Sequence, residues 1–350
     1  MAEKVMIGMS GGVDSTVAAY LLKKNGYEVA GMNCRFFCED EKLLSSGDDI
    51  KAAEDVCKRL DIPFFLSDLR KEFADCVISD FLSSYEKGAT PNPCVCCNKH
   101  MKFDLMLRKA EEKGYNNIAT GHYAIIEKDT NGRYLLKKGA DTMKDQSYVL
   151  YVLNQHQLSH SYFPLGKLCK SEIRELAESM DFINANKKDS QDICFVPDGD
   201  YASFIEKRTG KTYPCGEFVT REGKILGEHK GIIRYTVGQR KGLGLALPAP
   251  MYVCEKDVVN NRVVLSDNES LFTKTLTANN INLIPFDRID SPIRVKAKVR
   301  YKHQEQWATV RQTDADTLYV EFDEPVRAIA KGQSLVMYDG DYVVGGGIIE

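Results

Sequence analysis

The residues of this chain best suited to covalent chemistry sit in two cysteine-bearing segments and one glycine–serine loop. Thr90-Pro91-Asn92-Pro93-Cys94-Val95-Cys96-Cys97-Asn98-Lys99 places three thiols within four positions, with Lys99 and His100 beside them. The spacing predicts a helix over 99–113, so these cysteines read as a proline-stiffened connection that leaves Cys97 near a helix N-terminus. That location favours thiolate over thiol. A further thiol, Cys194, stands far downstream in Lys188-Asp189-Ser190-Gln191-Asp192-Ile193-Cys194-Phe195. If folding joins Cys97 and Cys194, one can carry a persulfide while the other attacks its S–S bond to release sulfur or clear the linkage. The blander reading makes them small buried residues of a tight turn. A third reading uses Cys94, Cys96, Cys97, His100 and Cys194 as ligands of zinc or an iron–sulfur cluster. Persulfide transfer needs unencumbered thiols, and the metal-free dithiol is preferred over the cluster. Cys34, Cys38, Cys57, Cys76, Cys169, Cys215 and Cys254 lack such a setting and are expected to be structural.

The loop is Gly8-Met9-Ser10-Gly11-Gly12-Val13-Asp14-Ser15, between an expected strand and an expected helix. Backbone N–H groups at a helix start favour an anion, and the glycines let the backbone approach phosphate oxygens. Ser10 and Ser15 add hydroxyls; Asp14 could hold Mg²⁺ or cap the helix. The alternative is a glycine turn with a good cap. No G-x-x-x-x-G-K-[S/T] motif occurs, so γ-phosphate chemistry of that type is not indicated. Strand, Ser-Gly-Gly-Val-Asp-Ser and helix together resemble the pyrophosphatase-type loop of ATP-dependent adenylating enzymes. In those enzymes the α–β bond of ATP breaks and a substrate oxygen takes AMP.

The elements that must position these groups alternate. Apolar runs at 5–9, 28–33, 64–66 and 117–120 are separated by helical patterns at 16–24, 49–60, 73–85 and 99–113, the mark of an α/β fold with a mainly parallel sheet. Asn131-Gly132 suggests a hairpin between 123–127 and 133–138, and helical pattern returns at 171–180. After Tyr201 the segments become glycine-punctuated with alternating polarity, including 293–301, 317–322 and 334–338, as in small β-rich domains. The division expected is 1–200, 201–275 and 276–350. At 350 residues the chain is long enough for that number of domains. The apolar run after Met1 is too short for a signal peptide or membrane span, and no Arg-rich leader precedes it, so a cytoplasmic location is expected. An odd number of cysteines, 11, without a secretory signal argues for reduced thiols.

A formal net charge of −3 gives no global attraction to a polyanion, so a nucleic-acid surface has to be a local patch. Arg294, Lys296, Lys298, Arg300 and Lys302 alternate with apolar residues and would share one face of a strand. Residues 201–245 carry an excess of Lys and Arg. Both are phosphate-binding candidates, against the plain alternative of solvated charged surface.

The combination is similar to the MnmA-type tRNA-specific 2-thiouridylases. The resemblance rests on 8–15, 90–98, Ala119-Thr120-Gly121-His122-Tyr123-Ala124, Lys144-Asp145-Gln146-Ser147-Tyr148, 189–195, Tyr235 to Gly244 and Gly345-Gly346-Gly347, in order along the chain. It implies an N-terminal adenylating domain, a small central domain and a C-terminal β-barrel. ATP would be held by Gly8, Met9, Ser10, Gly11, Gly12, Val13, Asp14, Ser15, Met32 and Gly121. Cys97 would be the nucleophile and Cys194 the persulfide carrier. Asn92, Pro93 and Cys94 would flank the target base, while His122, Lys144, Asp145, Gln146, Arg300, Tyr301 and Gln333 would contact or position the tRNA. Partners implied are tRNA with Lys, Glu and Gln acceptors and a persulfide sulfur-donor protein, with no membrane. Cys94 stands where many relatives carry an acidic residue, and Gln191-Asp192 where many carry Thr-Gly. Two rivals stand beside it: an ATP pyrophosphatase that amidates or ligates a small molecule, which has no use for Cys97 and Cys194, and a noncatalytic metal-binding RNA module built on the Cys94 to His100 cluster.

Overall fold

The computed structural model describes residues 2–37, 47–180, 182 and 193–350; Cys38 and the Lys188 to Asp192 stretch of the second motif lie outside them. Five parallel strands form the N-terminal sheet in the order Phe64–Asp68, Glu28–Arg35, Lys4–Gly8, Asn117–Ala119, Ser161–Tyr162. In the central strand Val5, Met6 and Ile7 are all buried, as a parallel strand covered on both faces requires. Val5 and Ile7 pack with Val13, Val17, Val56 and Ile173 on one face, and Met6 packs with Phe103, Met106 and Leu107 on the other. The chain runs outward from Lys4–Gly8 to Phe64–Asp68 and then returns to Asn117–Ala119 on the other side. The C-terminal ends of those two neighbouring strands bound the crevice where such sheets bind ligands.

One expected boundary moves. The helix predicted over 99–113 begins at Pro93 and runs continuously through residues 93–111, with Cys97–Leu105 wound as a π-helix. The Asn92 side chain accepts from the Cys94 N–H at 3.1 Å, and Pro93 occupies the first helical position. Asn followed by Pro is a strong helix start, and it takes the cysteines into the helix. A second π segment, Ala74–Ile78, interrupts the run from Arg70 to Glu86.

The middle region pairs Tyr252–Asp257, Arg262–Ser266, Gly216–Val219 and Ile225–His229 in one sheet. The expected C-terminal barrel is present: Phe272–Leu283, Thr317–Arg327, Gln306–Asp314, Ile293–Lys298, Ser334–Asp339 and Tyr342–Ile349 close through pairing of the first with the last. The hairpin Ala124–Lys128 and Tyr134–Lys138 extends the barrel's sheet by the Tyr342↔Lys137 pair. A Cβ on Gly346 would lie 2.1 Å from the Leu335 carbonyl oxygen and 2.8 Å from the Tyr151 ring, so only glycine lets the barrel approach the α/β domain here. The strand expected over 293–301 ends at Lys298. Arg300 therefore leaves the cationic face: its Nη2 donates to the Val237 and Ala328 carbonyls at 2.8 and 2.7 Å. Arg294 is held by Asp323 at 2.7 Å. The face of five cations thus reduces to Lys296 and Lys298 within the strand.

Candidate active site

The loop Gly8 to Ser15 leaves the central strand and enters the helix Val13–Lys24. Gly11 has φ +75°, and a Cβ there would meet the Asp49 carbonyl oxygen at 2.5 Å, so the turn needs glycine. Ser15 Oγ accepts from the Ser10 N–H at 3.2 Å and donates to the Gly12 carbonyl at 3.1 Å, so the two serines hold the loop's shape. The helix start is Gly12 with no capping side chain, which leaves its first turn to an outside acceptor. Asp14 neither caps nor stands open for Mg²⁺: Lys170 Nζ donates to its carboxylate at 2.7 Å and Tyr123 OH at 2.6 Å. Gly121, at the end of the neighbouring strand, lies so close that a Cβ would sit 3.1 Å from the Ser15 nitrogen. Met9 N–H donates to the Met32 carbonyl at 2.8 Å. Asn33 Nδ2 donates to the Met9 carbonyl at 2.7 Å, while its Oδ1 is buried without a partner. An unfilled acceptor beside an uncapped helix start fits a nucleoside triphosphate: a base with N–H donors at one end, phosphates at the other.

The thiols gather at the same sheet edge. Gly8 packs against Met106 of the cysteine-bearing helix, and Cys34, two residues past Met32, is within electrostatic reach of Cys97. Cys97 is 8% exposed and packs in one cluster with Phe73, Phe81, Met101 and Phe195. The Phe195 ring meets Phe81 at 5.2 Å, Phe204 at 5.3 Å and Phe73 at 5.8 Å. That anchor brings the adjacent Cys194 to the first segment, where Cys94, Cys97 and Cys194 interact electrostatically.

Burial dominates the thiol energetics, against the expectation of an activated Cys97. Loss of water pushes Cys97 up to about 12, Lys102 pulls it down, and the Cys194 charge pushes it further up. It lies a turn inside the helix, beyond the donors at the start. Cys194 is also raised by desolvation, then by Cys94, and is lowered by Lys102 and by the N–H groups of Cys194 and Phe195. Lys102 was not identified from the sequence. Along a π-helix, whose ladder runs i→i+5, residues 97 and 102 come together; at helical period 3.6 they do not.

The other nominated residues divide. Asn92 and Pro93 start the helix, and Cys94 is exposed beside them. Tyr301 is within electrostatic reach of Cys94 and Asp145, and its OH donates to the Asp145 carbonyl at 2.9 Å. The Asp145 carboxylate accepts from the Gly139 and Ser147 N–H groups, and Gln146 Oε1 from Tyr123 N–H, so both fasten the backbone. Lys144 is half-buried on that turn. His122 is buried between Phe103 and Phe163, bonded to Thr120 at 2.7 Å and held neutral by burial. Gln333 Nε2 donates to the Thr90 carbonyl at 2.7 Å, docking the barrel on the cysteine segment. Of the five ligands considered for a cluster, Cys96 and His100 gather their donor atoms with that of Cys76, while Cys97, within electrostatic reach of both groups of thiols, also interacts with Cys94 and Cys194.

Residues 3–198 match the family described as tRNA methyl transferase HUP domain, 202–267 the tRNA methyl transferase PRC-barrel domain, and 273–349 the aminomethyltransferase beta-barrel domain. The chain is 50% identical to the tRNA-specific 2-thiouridylase MnmA of Clostridioides difficile, covering 100% of this chain and 99% of that one. It is 48% identical to that of Acetivibrio thermocellus, covering 99% of each. Among solved structures it is similar to the U34-tRNA thiolase NcsA of Methanococcus maripaludis at TM-score 0.37 and 21% identity, over 59% of this chain and 66% of that one. On identity that runs from end to end with the curated proteins, the chain belongs to the family of tRNA-specific 2-thiouridylases.

Proposed function

We propose that this chain replaces the C2 oxygen of the wobble uridine of tRNA with sulfur, using ATP and a cysteine persulfide. The observation that carries the reading is the convergence of Cys94, Cys97, Cys194 and Lys102 at the sheet edge that also holds the loop Gly8 to Ser15. In this mechanism the uridine O2 attacks the α-phosphate of ATP and pyrophosphate leaves onto the loop. The terminal sulfur of a Cys194 persulfide attacks C2, and the oxygen departs with AMP. Cys97 then attacks the Cys194 sulfur, breaking the S–S bond; 2-thiouridine is freed and a Cys97–Cys194 disulfide remains for a thiol reductant. Mg²⁺ would enter as the ATP complex; Asp14 is engaged by Lys170 and Tyr123. Cys97 and Cys194 act here as free thiols rather than as cluster ligands.

The electrostatics support one order of events. A persulfide anion on Cys194 would help keep Cys97 protonated; once that sulfur is bonded to the base the charge is gone, and the Cys97 thiol becomes easier to ionise. A uridine must leave its stack to reach the pocket, and Tyr301 beside Cys94 is an aromatic surface for it. Residues 1–200 would perform the chemistry, with 201–275 and 276–350 holding the tRNA; a persulfide-carrying protein would load Cys194, and the reaction would run in the cytoplasm. Among the described residues no helix is long and apolar enough to cross a membrane. Cys97→Ser and Cys194→Ser should each abolish 2-thiouridine formation, measured by nucleoside mass spectrometry, with tRNA affinity within about twofold of wild type. Full turnover in either variant would remove that thiol from the mechanism.

A further inference from the structure

We propose that Cys76, Cys96 and His100 form a zinc site, distinct from the reacting thiols, that clamps the two π-helical segments together. The donor atoms of these residues all lie within 4.8 Å of one another. Cys76 Sγ and Cys96 Sγ are 3.7 Å apart. Two thiolates bound to one zinc at about 2.3 Å in tetrahedral geometry stand about 3.8 Å apart, so the sulfurs already have a zinc edge between them. Cys76 lies in the π segment Ala74–Ile78, and His100 in the π segment Cys97–Leu105 one turn after Cys96. Cys96 and His100, four residues apart, both bring their donor atoms to the Cys76 thiol. Both sulfurs are partly buried, whereas His100 is exposed, so a metal has an entry path from solvent.

Two cysteines and an imidazole are a nitrogen–sulfur set that suits zinc, with one position left for water or a carboxylate. Asp80 adds negative charge nearby, within electrostatic reach of both Cys96 and His100, without being among the donors that gather there. Zinc takes cysteines as thiolates, so binding releases thiol protons to solvent and changes no oxidation state. Cys97 follows Cys96 directly, so the clamp would fix the helix that presents the nucleophile. Nothing in this site depends on the thiolation reading.

The test is metal binding by the full-length protein, stripped with chelator and kept reduced. Zinc analysis should find one equivalent in wild type and in the variant Cys94→Ala/Cys97→Ala/Cys194→Ala. Cobalt(II) in its place should show the charge-transfer absorption of thiolate ligands in both. Cys76→Ser and Cys96→Ser should lose that absorption and the zinc, and His100→Ala should bind at least tenfold more weakly, each with wild-type circular dichroism. If the single variants fail to fold, the triple variant still decides. No metal in the triple variant, full zinc in folded Cys76→Ser or Cys96→Ser, or a Cys76–Cys96 disulfide in freshly isolated protein would each overturn the site.

Discussion

At the scale of single residues, Lys102 is the group whose removal most directly tests how the thiols are tuned. Its ammonium opposes the desolvation that raises Cys34, Cys97 and Cys194, the last of which keeps an exposed side chain. Lys102→Met should raise the Cys194 pKa further and slow its alkylation at pH 8 by about three- to tenfold, with exposed Cys215 as internal control. Peptide mass spectrometry after timed alkylation measures it, and an unchanged rate at Cys194 refutes the coupling. Much of the site was legible at this scale because the chemistry left a dense signature: glycines at a strand end, and two thiol motifs beside prolines and an Ile-Cys-Phe. What stayed hidden needed the winding of the backbone. Lys102 stands five residues from Cys97 in a π-helix, a spacing that helical period 3.6 does not flag, and the Cys76 thiol joins Cys96 only through packing between segments. His122 and Asp145 stood out as polar motif residues, yet their side chains are committed to Thr120 and to backbone N–H groups.

At the scale of elements, one aromatic ring sets the position of Cys194. Phe195 is buried against Phe73 and Phe81 of the 70–86 helical run and Phe204 of the helix Tyr201–Thr209. Phe195→Ala should cost about 3–5 kcal/mol of stability, and, on the proposed function, it should lower thiouridine formation more than tRNA binding, because it frees Cys194 from the cluster that also holds Cys97. Denaturant melts and single-turnover assays at low temperature, where the variant stays folded, separate the two effects; wild-type turnover in the folded variant would show that Cys194 needs no such anchor. The α/β alternation was readable because apolar periodicity reports which faces are covered. The start of the cysteine helix was misread because β-turn and helix-start signals share Asn and Pro. The strand at 293–301 was read too long because alternation continues into Arg300, whose partners lie in other segments.

At the scale of the whole molecule, the three regions meet around the cysteine segment. Thr90 is bonded to Lys331 and Gln333 of the barrel, and Lys256 of the middle sheet reaches the Ala89 carbonyl and the Tyr85 ring. If tRNA phosphates follow the outward cations of the barrel, Lys296→Ala/Lys298→Ala should weaken binding and reduce its salt dependence without loss of fold, as filter binding across a salt series would show; an unchanged slope would clear that face of any role. Arg300 is better left in place, since it ties Val237 to Ala328. The joint between domains also carries a pH signature. Burial lowers the Lys256 pKa from 10.5 to about 8. An unfolded chain keeps that proton up to about pH 10.5 while the folded one releases it near 8, so this residue makes stability rise with pH between those values. Below pH 8 both states are protonated and the full cost of the buried charge stands, at most about 3 kcal/mol. Lys256→Met should therefore stabilise the protein at pH 7, by less than that ceiling because the contacts to Ala89 and Tyr85 are lost, and its advantage should shrink as pH approaches 10.5. Paired denaturation curves of wild type and variant at pH 7 and pH 10 cancel the titration of every other group. A variant less stable at pH 7, or an advantage of equal size at both, would mean that Lys256 is paired well enough in the joint to carry its charge without cost.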